Sequence, residues 1–173
     1  MTERFQESGA TPADFAGEFL VVCPGCAGCA LVRDRGPAAG DRRVVLSCAA
    51  CGRGDVWTPV GPEVVITSGN PARFEQGSVG VGAAVDWYFH LPLWLQMPCC
   101  GETLWAWNRA HLEFMERFVS ASLRERQQDP EHGWSNRSLA SRLPKWISKA
   151  KNRAAVQAGL AKLKAGKLAD AAA

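Results

Sequence analysis

At 173 residues, with 47% hydrophobic and 21% charged side chains, the chain is long enough for one compact domain plus a small metal-held module. No apolar run approaches the ~20 residues that span a bilayer, and Glu3, Arg4, Glu7, Asp14 and Glu18 interrupt any signal-peptide core before residue 19, so the expected location is cytoplasmic, with no membrane anchor. The net charge of +3 conceals a split: residues 1–132 carry 16 acidic side chains and 11 basic ones, all Arg, whereas residues 133–173 carry nine basic side chains and one acid, Asp170. Such a split points to an anionic partner or to an acidic surface on the chain's own body.

Residues 1–17, polar and rich in turn formers, read as a flexible N-terminus. Residues 18–58 hold two matched turns, Cys23-Pro24-Gly25-Cys26 and Cys48-Ala49-Ala50-Cys51-Gly52, with 21 residues between Cys26 and Cys48. Four thiolates from two such turns surround one Zn²⁺ tetrahedrally. A disulfide or a thioredoxin-like redox pair is the competing reading, but a single redox pair leaves the second pair unexplained, and reduced compartments favour metal. Residues 19–22 and 44–47 are apolar and rich in β-branched side chains, as the strands of a ribbon would be. Cys29 extends the first turn and could replace one ligand, though a small buried spectator is the simpler reading.

Residues 59–132 form a Trp-rich α+β body. A short strand is expected at 63–67, followed by a turn at Ser68-Gly69-Asn70-Pro71. The glycines from 77 to 82 lack the Lys of a phosphate-binding loop and read as a bulged loop. Trp87, Tyr88, Phe89, Trp94, Trp105 and Trp107 read first as core and second as a stacking face. Strands are expected at 85–90 and 93–96, broken by Pro92, then a turn at Cys99-Cys100-Gly101 packed under the Trp cluster. Residues 104–107 fit a strand or a helix start. A second zinc site using Cys99, Cys100 and His90 or His111 is a lesser alternative. From 109 to 126, Leu112, Met115, Val119 and Leu123 recur at helical spacing, with Phe114 and Phe118 beside them. Asp129, Pro130 and Gly133 then break the pattern.

Residues 133–173 form a basic helical segment that holds every Lys of the chain. Asn136 or Ser138 could cap a helix through Arg142, Pro144 suits the first turn of the next, and Asn152 suits the cap of a last helix ended by Gly166. Leu139, Leu143, Trp146 and Ile147 should dock on the body, with Trp146 dominant, leaving Lys162, Lys164 and Lys167 solvated for a partner.

The stretches FLVVCPGC at 19–26, LPLWLQ at 91–96, CCG at 99–101, LWAWN at 104–108 and NRSLASRLPKW at 136–146 resemble those of bacterial TFIIB-type zinc-ribbon-containing proteins. The likeness runs from residue 19 to about 165. It implies zinc at Cys23, Cys26, Cys48 and Cys51 and implies no activity. The fold class expected is α+β: an N-terminal zinc ribbon, a small antiparallel β region, a long amphipathic helix and short C-terminal helices. None of His90, His111 or His132 has a Ser, Asp or Glu at a catalytic spacing, so the chain reads as a non-catalytic, zinc-stabilised adaptor or inhibitor that binds another protein. The alternative is a nucleic-acid-binding module. The candidate contact residues are Arg33, Arg35, Arg42 and Arg43 of the ribbon with Lys162, Lys164 and Lys167 of the tail.

Overall fold

The computed structural model describes residues 4–6, 9–38, 41–61, 64–121, 123–125 and 138–171. It is a mixed helix and strand fold. A four-stranded antiparallel sheet comes first, formed in order by β2 (Glu18–Val22), β3 (Cys29–Ala38), β4 (Asp41–Ser47) and β5 (Gly54–Trp57). The side-chain period of two sorts its residues. Phe19, Val21, Ala30, Val32, Val44, Leu46 and Trp57 are buried on one face, in a register that pairs Phe19 with Val32 and Val32 with Leu46.

The N-terminal residues contribute structure where a flexible lead-in was expected. β1 (Arg4–Gln6) pairs in parallel with β10 (Leu123–Glu125), and a 3-10 turn at Pro12–Asp14 leads to the buried Ala16. In the body, β6 (Ile66–Ser68) pairs in parallel with β7 (Val79–Val81), and β8 (Leu95–Cys99) forms an antiparallel hairpin with β9 (Glu102–Ala106). The body's strands are thus only partly antiparallel. The hairpin turns through Cys100 and Gly101, both with positive φ of 55° and 80°, the backbone that a two-residue turn of this hand demands.

Residues 86–91 are a loop rather than the expected strand. One carboxylate templates it: Asp86 accepts the amides of Tyr88 and Phe89 on Oδ1, at 2.9 and 2.8 Å, and of Leu91 on Oδ2 at 2.7 Å. Burial pushes this carboxyl upward against those donors.

The long amphipathic helix is corrected to twelve residues, α1 (Arg109–Ser120). It buries His111, Leu112, Phe114, Met115, Phe118 and Val119, while Arg109 and Arg117 face solvent. It stops because Ala121 turns to extended backbone (φ −65°, ψ 129°), and Leu123 enters β10 instead. Asn108 caps α1, accepting the His111 amide at 3.0 Å, and its Nδ2 donates to the carbonyls of Phe15 and Glu18 at 2.7 and 2.8 Å.

The C-terminal segment holds α2 (Leu139–Arg142), α3 (Lys145–Ser148) and α4 (Arg153–Leu163). Ser138 caps α2 through the Ser141 amide at 3.2 Å. Pro144 stands before α3, outside its first turn. Asn152 makes no side-chain cap on α4; its Nδ2 donates to the Trp146 carbonyl at 2.8 Å. Gly166 does not end the helix, which continues as a π turn over Lys164–Leu168 and buries Leu168. Gly159 lets α4 lie directly on β8–β9: a Cβ there would meet Leu104 Cδ2 at 2.8 Å and Cys99 Sγ at 3.8 Å. Leu139 and Ile147 are buried, and Leu143 and Trp146 pack half-buried against the core, so all four dock this segment, though Trp146 is not the most buried of them.

Ribbon and body share one core. The outer edge of β2 is sealed, with Leu20 N–H donating to Trp107 O at 2.8 Å, Trp94 N–H to Leu20 O at 2.9 Å and Val22 N–H to Pro92 O at 2.9 Å. Among the described residues no helix is long and apolar enough to cross a membrane. Expectations placed on Glu63, Asp129, Pro130, His132, Gly133 and Asn136 fall outside the described residues.

Candidate metal centre

Cys23 and Cys26 stand in the β2–β3 turn, and Cys48 and Cys51 in the β4–β5 turn. The two turns repeat one backbone design. Cys23 O accepts the Ala27 amide and Cys48 O the Gly52 amide, both at 2.9 Å. The donor in each case has positive φ, 60° at Ala27 and 75° at Gly52. Gly52 adopts that backbone freely, whereas Ala27 does so under mild strain.

The four sulfurs all lie within 4.8 Å of one another. Cys23 Sγ is 3.7 Å from Cys51 Sγ, and Cys26 Sγ is 3.6 Å from Cys48 Sγ. Cys23 and Cys48 are buried; Cys26 and Cys51 are exposed. The Gly25 amide donates to Cys23 Sγ at 3.3 Å and holds that thiol down to about 6, favouring the thiolate that binds metal. Arg53 lies against the first turn and pairs with Asp55 at 2.7 Å. The group could hold a metal ion, and its members are the four residues that the spacing singled out.

No protein-family model, curated protein or solved structure matches this chain.

Cys29 stays outside the cluster. Burial, with the Cys48 charge behind it, pushes its thiol up to about 11. Cys99 and Cys100 form the hairpin turn, with Cys99 packed beside Gly159, and neither joins a metal-binding group among the described residues. His111 is buried and accepts the Trp107 amide on Nδ1 at 3.2 Å. His90 is half-buried against the Phe74 ring.

The remaining candidate residues are scattered. Arg33 pairs with Glu18 at 3.2 Å on the β2–β3 ladder, and Arg35 and Arg43 are exposed. The side chain of Arg42 is outside the described residues. Lys162 is exposed. The expectation that Lys164 and Lys167 stay free of the body is corrected. Lys164 Nζ is 2.7 Å from Glu116 Oε2 on α1, and Lys167 Nζ sits 5.2 Å above the Trp94 ring. The Lys167 carbonyl also accepts Trp94 Nε1 at 2.7 Å. The last helix packs on α1 and on the β8–β9 hairpin, which brings these two lysines onto the acid and the indole.

Sequence reasoning missed two features. One is a set of exposed branched side chains from Val56 to Ile66. Its signal was present in part, since Val64, Val65 and Ile66 are consecutive between turn formers. The other is a partly open cavity beside the Trp cluster, for which the linear sequence holds no signal.

Proposed function

We propose that Cys23, Cys26, Cys48 and Cys51 hold one Zn²⁺ as a structural centre, and that the protein is a non-catalytic binding protein whose partner is another protein. The sulfur spacing supports zinc. Zn–S bonds of about 2.3 Å place tetrahedral sulfurs about 3.8 Å apart, close to the 3.6 and 3.7 Å observed. A thiolate donor set suits zinc over hard cations.

The observation that carries the binding reading is the apolar run beside β6. Val64, Val65 and Ile66, consecutive in sequence and leading into β6, are 43%, 57% and 69% exposed. Folded monomers seldom leave such a set uncovered without a use for it. β6 has β7 on one side, and among the described residues its other edge is unpaired. A partner segment adding a strand there would gain main-chain hydrogen bonds and cover the branched side chains. Lys164 and Lys167, already engaged within the chain, weaken the case for phosphate contacts by the tail.

Photo-crosslinkers placed at position 66 and at position 162 test this reading in the cells that make the protein. A defined protein adduct from 66 and none from 162 is the expected result. No adduct from 66, or retention on duplex DNA with a log–log salt slope steeper than about −2, would reject it for the nucleic-acid alternative. Metal analysis should find one zinc per chain.

A further inference from the structure

The fold leaves a partly open cavity of about 380 Å³, at the small end of the ~300–1,000 Å³ of small-molecule sites. Part of its wall is aromatic, built by Trp87, Trp105, Trp107 and His111. These rings interlock. Trp107 lies 4.3 Å from His111, 5.5 Å from Trp87 and 5.6 Å from Trp105, centroid to centroid. The α2–α3 segment supplies Leu139, Leu143 and Ile147, which makes the lining mostly apolar.

The polar groups of this wall are one-sided. Trp87 Nε1, Trp107 Nε1 and His111 Nε2 are buried and have no hydrogen-bond partner. His111 Nδ1 already accepts the Trp107 amide, so the hydrogen-bond network assigns the ring proton to Nε2. Burial holds this imidazole down to about 3, and it is neutral near pH 7. All three nitrogens are therefore donors, screened from bulk water and lacking acceptors. A fully buried nitrogen is out of reach of the pocket's contents, so these three do no more than make its wall electropositive. Arg142 also lines the cavity, is exposed, and has no ion-pair partner among the described residues. It adds a fixed positive charge and further donors.

We propose that this cavity binds a small monocarboxylate with an aromatic or branched apolar body, its body against Trp87, Trp105 and Trp107 and its carboxylate held by Arg142. A neutral hydrocarbon would fill the space and leave Arg142 without a counter-charge. An amine would bring a charge of the same sign as Arg142 and more donors. A phosphate would set a multiply charged group against apolar walls. A single carboxylate on an apolar body matches both the lining and its one cation, unpaired among the described residues. This site is separate from the metal centre; Ser68 at the end of β6 lines it, but the proposal does not depend on zinc or on strand addition to β6.

Titration of the full chain with phenylacetate and indole-3-acetate, followed by the indole N–H resonances of isotope-labelled protein, tests the proposal. Phenylacetamide and phenethylamine serve as neutral and cationic comparators. The expected result is saturable binding of at least one acid, changes in the indole signals of Trp87, Trp105 and Trp107 as the apolar body packs on their rings, and about tenfold or weaker binding of its neutral and cationic counterparts. Arg142→Gln, an exposed position that folding does not depend on, should weaken the acid by about tenfold and leave the amide unchanged. Equal binding of acid, amide and amine, absence of saturation by either acid in the millimolar range, or an unchanged acid affinity in Arg142→Gln would each overturn it.

Discussion

Replacing His111 by Gln should flatten the acid limb of the stability curve, because His111 is a buried base that unfolding returns to water. It is 1% exposed, and burial holds its imidazole at about 3 against an ordinary 6.5. Below about pH 6.5 the unfolded chain therefore takes up a proton that the folded chain refuses. The stability contributed by the neutral ring is complete above 6.5 and is lost as the pH falls toward 3. The slope is about 1.4 kcal/mol per pH unit, so about 2 kcal/mol should disappear between pH 6.5 and 5. Gln carries no titrating proton and can still accept the Trp107 amide through its carbonyl oxygen. Urea unfolding of both proteins between about pH 7 and 5, followed by far-ultraviolet circular dichroism, gives the comparison. Asp86 and the cysteines titrate in both proteins and cancel in the difference. The stability gap between wild type and variant should narrow by about 2 kcal/mol over that range. Parallel curves would show that His111 is protonated in the folded state, and the reasoning from burial would fail.

Cys48→Ser should lower bound zinc well below one per chain and strip hydrogen-exchange protection from β3 and β4; full zinc occupancy in the variant would refute the assigned ligand set. Gly159→Ala should destabilise by about 1–3 kcal/mol, since a methyl group is forced against buried Leu104. Gly166→Ala, with nothing within 4 Å of the added carbon, should instead gain about 0.5–1 kcal/mol in urea melts. Asn108→Ala should cost roughly 3 kcal/mol, because it removes a helix cap and leaves the Phe15 and Glu18 carbonyls without their donor. Ile147→Ala should cost about 2–5 kcal/mol and Lys164→Ala about 0–1 kcal/mol; the reverse order would mean that charge rather than burial docks the C-terminal segment.

What could be read from the sequence was local. The two Cys-x-x-Cys turns declare themselves by spacing, and the alternation of Phe19 with Val21 and Val44 with Leu46 declares the sheet. Asn108, directly before the helical run, is a cap signal that periodicity alone leaves unused. Errors came where distant contacts decided. Apolar spacing continues through Leu123, but that residue pairs with the N-terminal strand, a contact from the far end of the chain. Gly166 looks like a stop, yet Gly within a helix costs only about 1 kcal/mol, and burial of Leu168 just beyond it outweighs that. Asp86 sits alone in an aromatic stretch, and its three amide donors come from a loop it creates itself. The cavity needs residues from β7, β9, α1 and α2–α3 in one place, which no stretch of sequence displays.

Strand β2 links two places far apart in chemistry. Cys23 follows its last residue, while the Phe19 ring near its start lies 5.7 Å from Trp87 and 6.3 Å from Trp107. Leu20, between them, is bonded through both its amide and its carbonyl to Trp107 and Trp94. The strand is thus a tether with the proposed metal site at one end and the indole wall at the other. Taking away the ion should slacken it, and the looser wall should hold its occupant less firmly. By linkage, an occupied cavity should hold the ion more tightly by the same factor. A chelator titration with and without phenylacetate would measure that factor directly, and a ratio of one would mean that the tether transmits nothing.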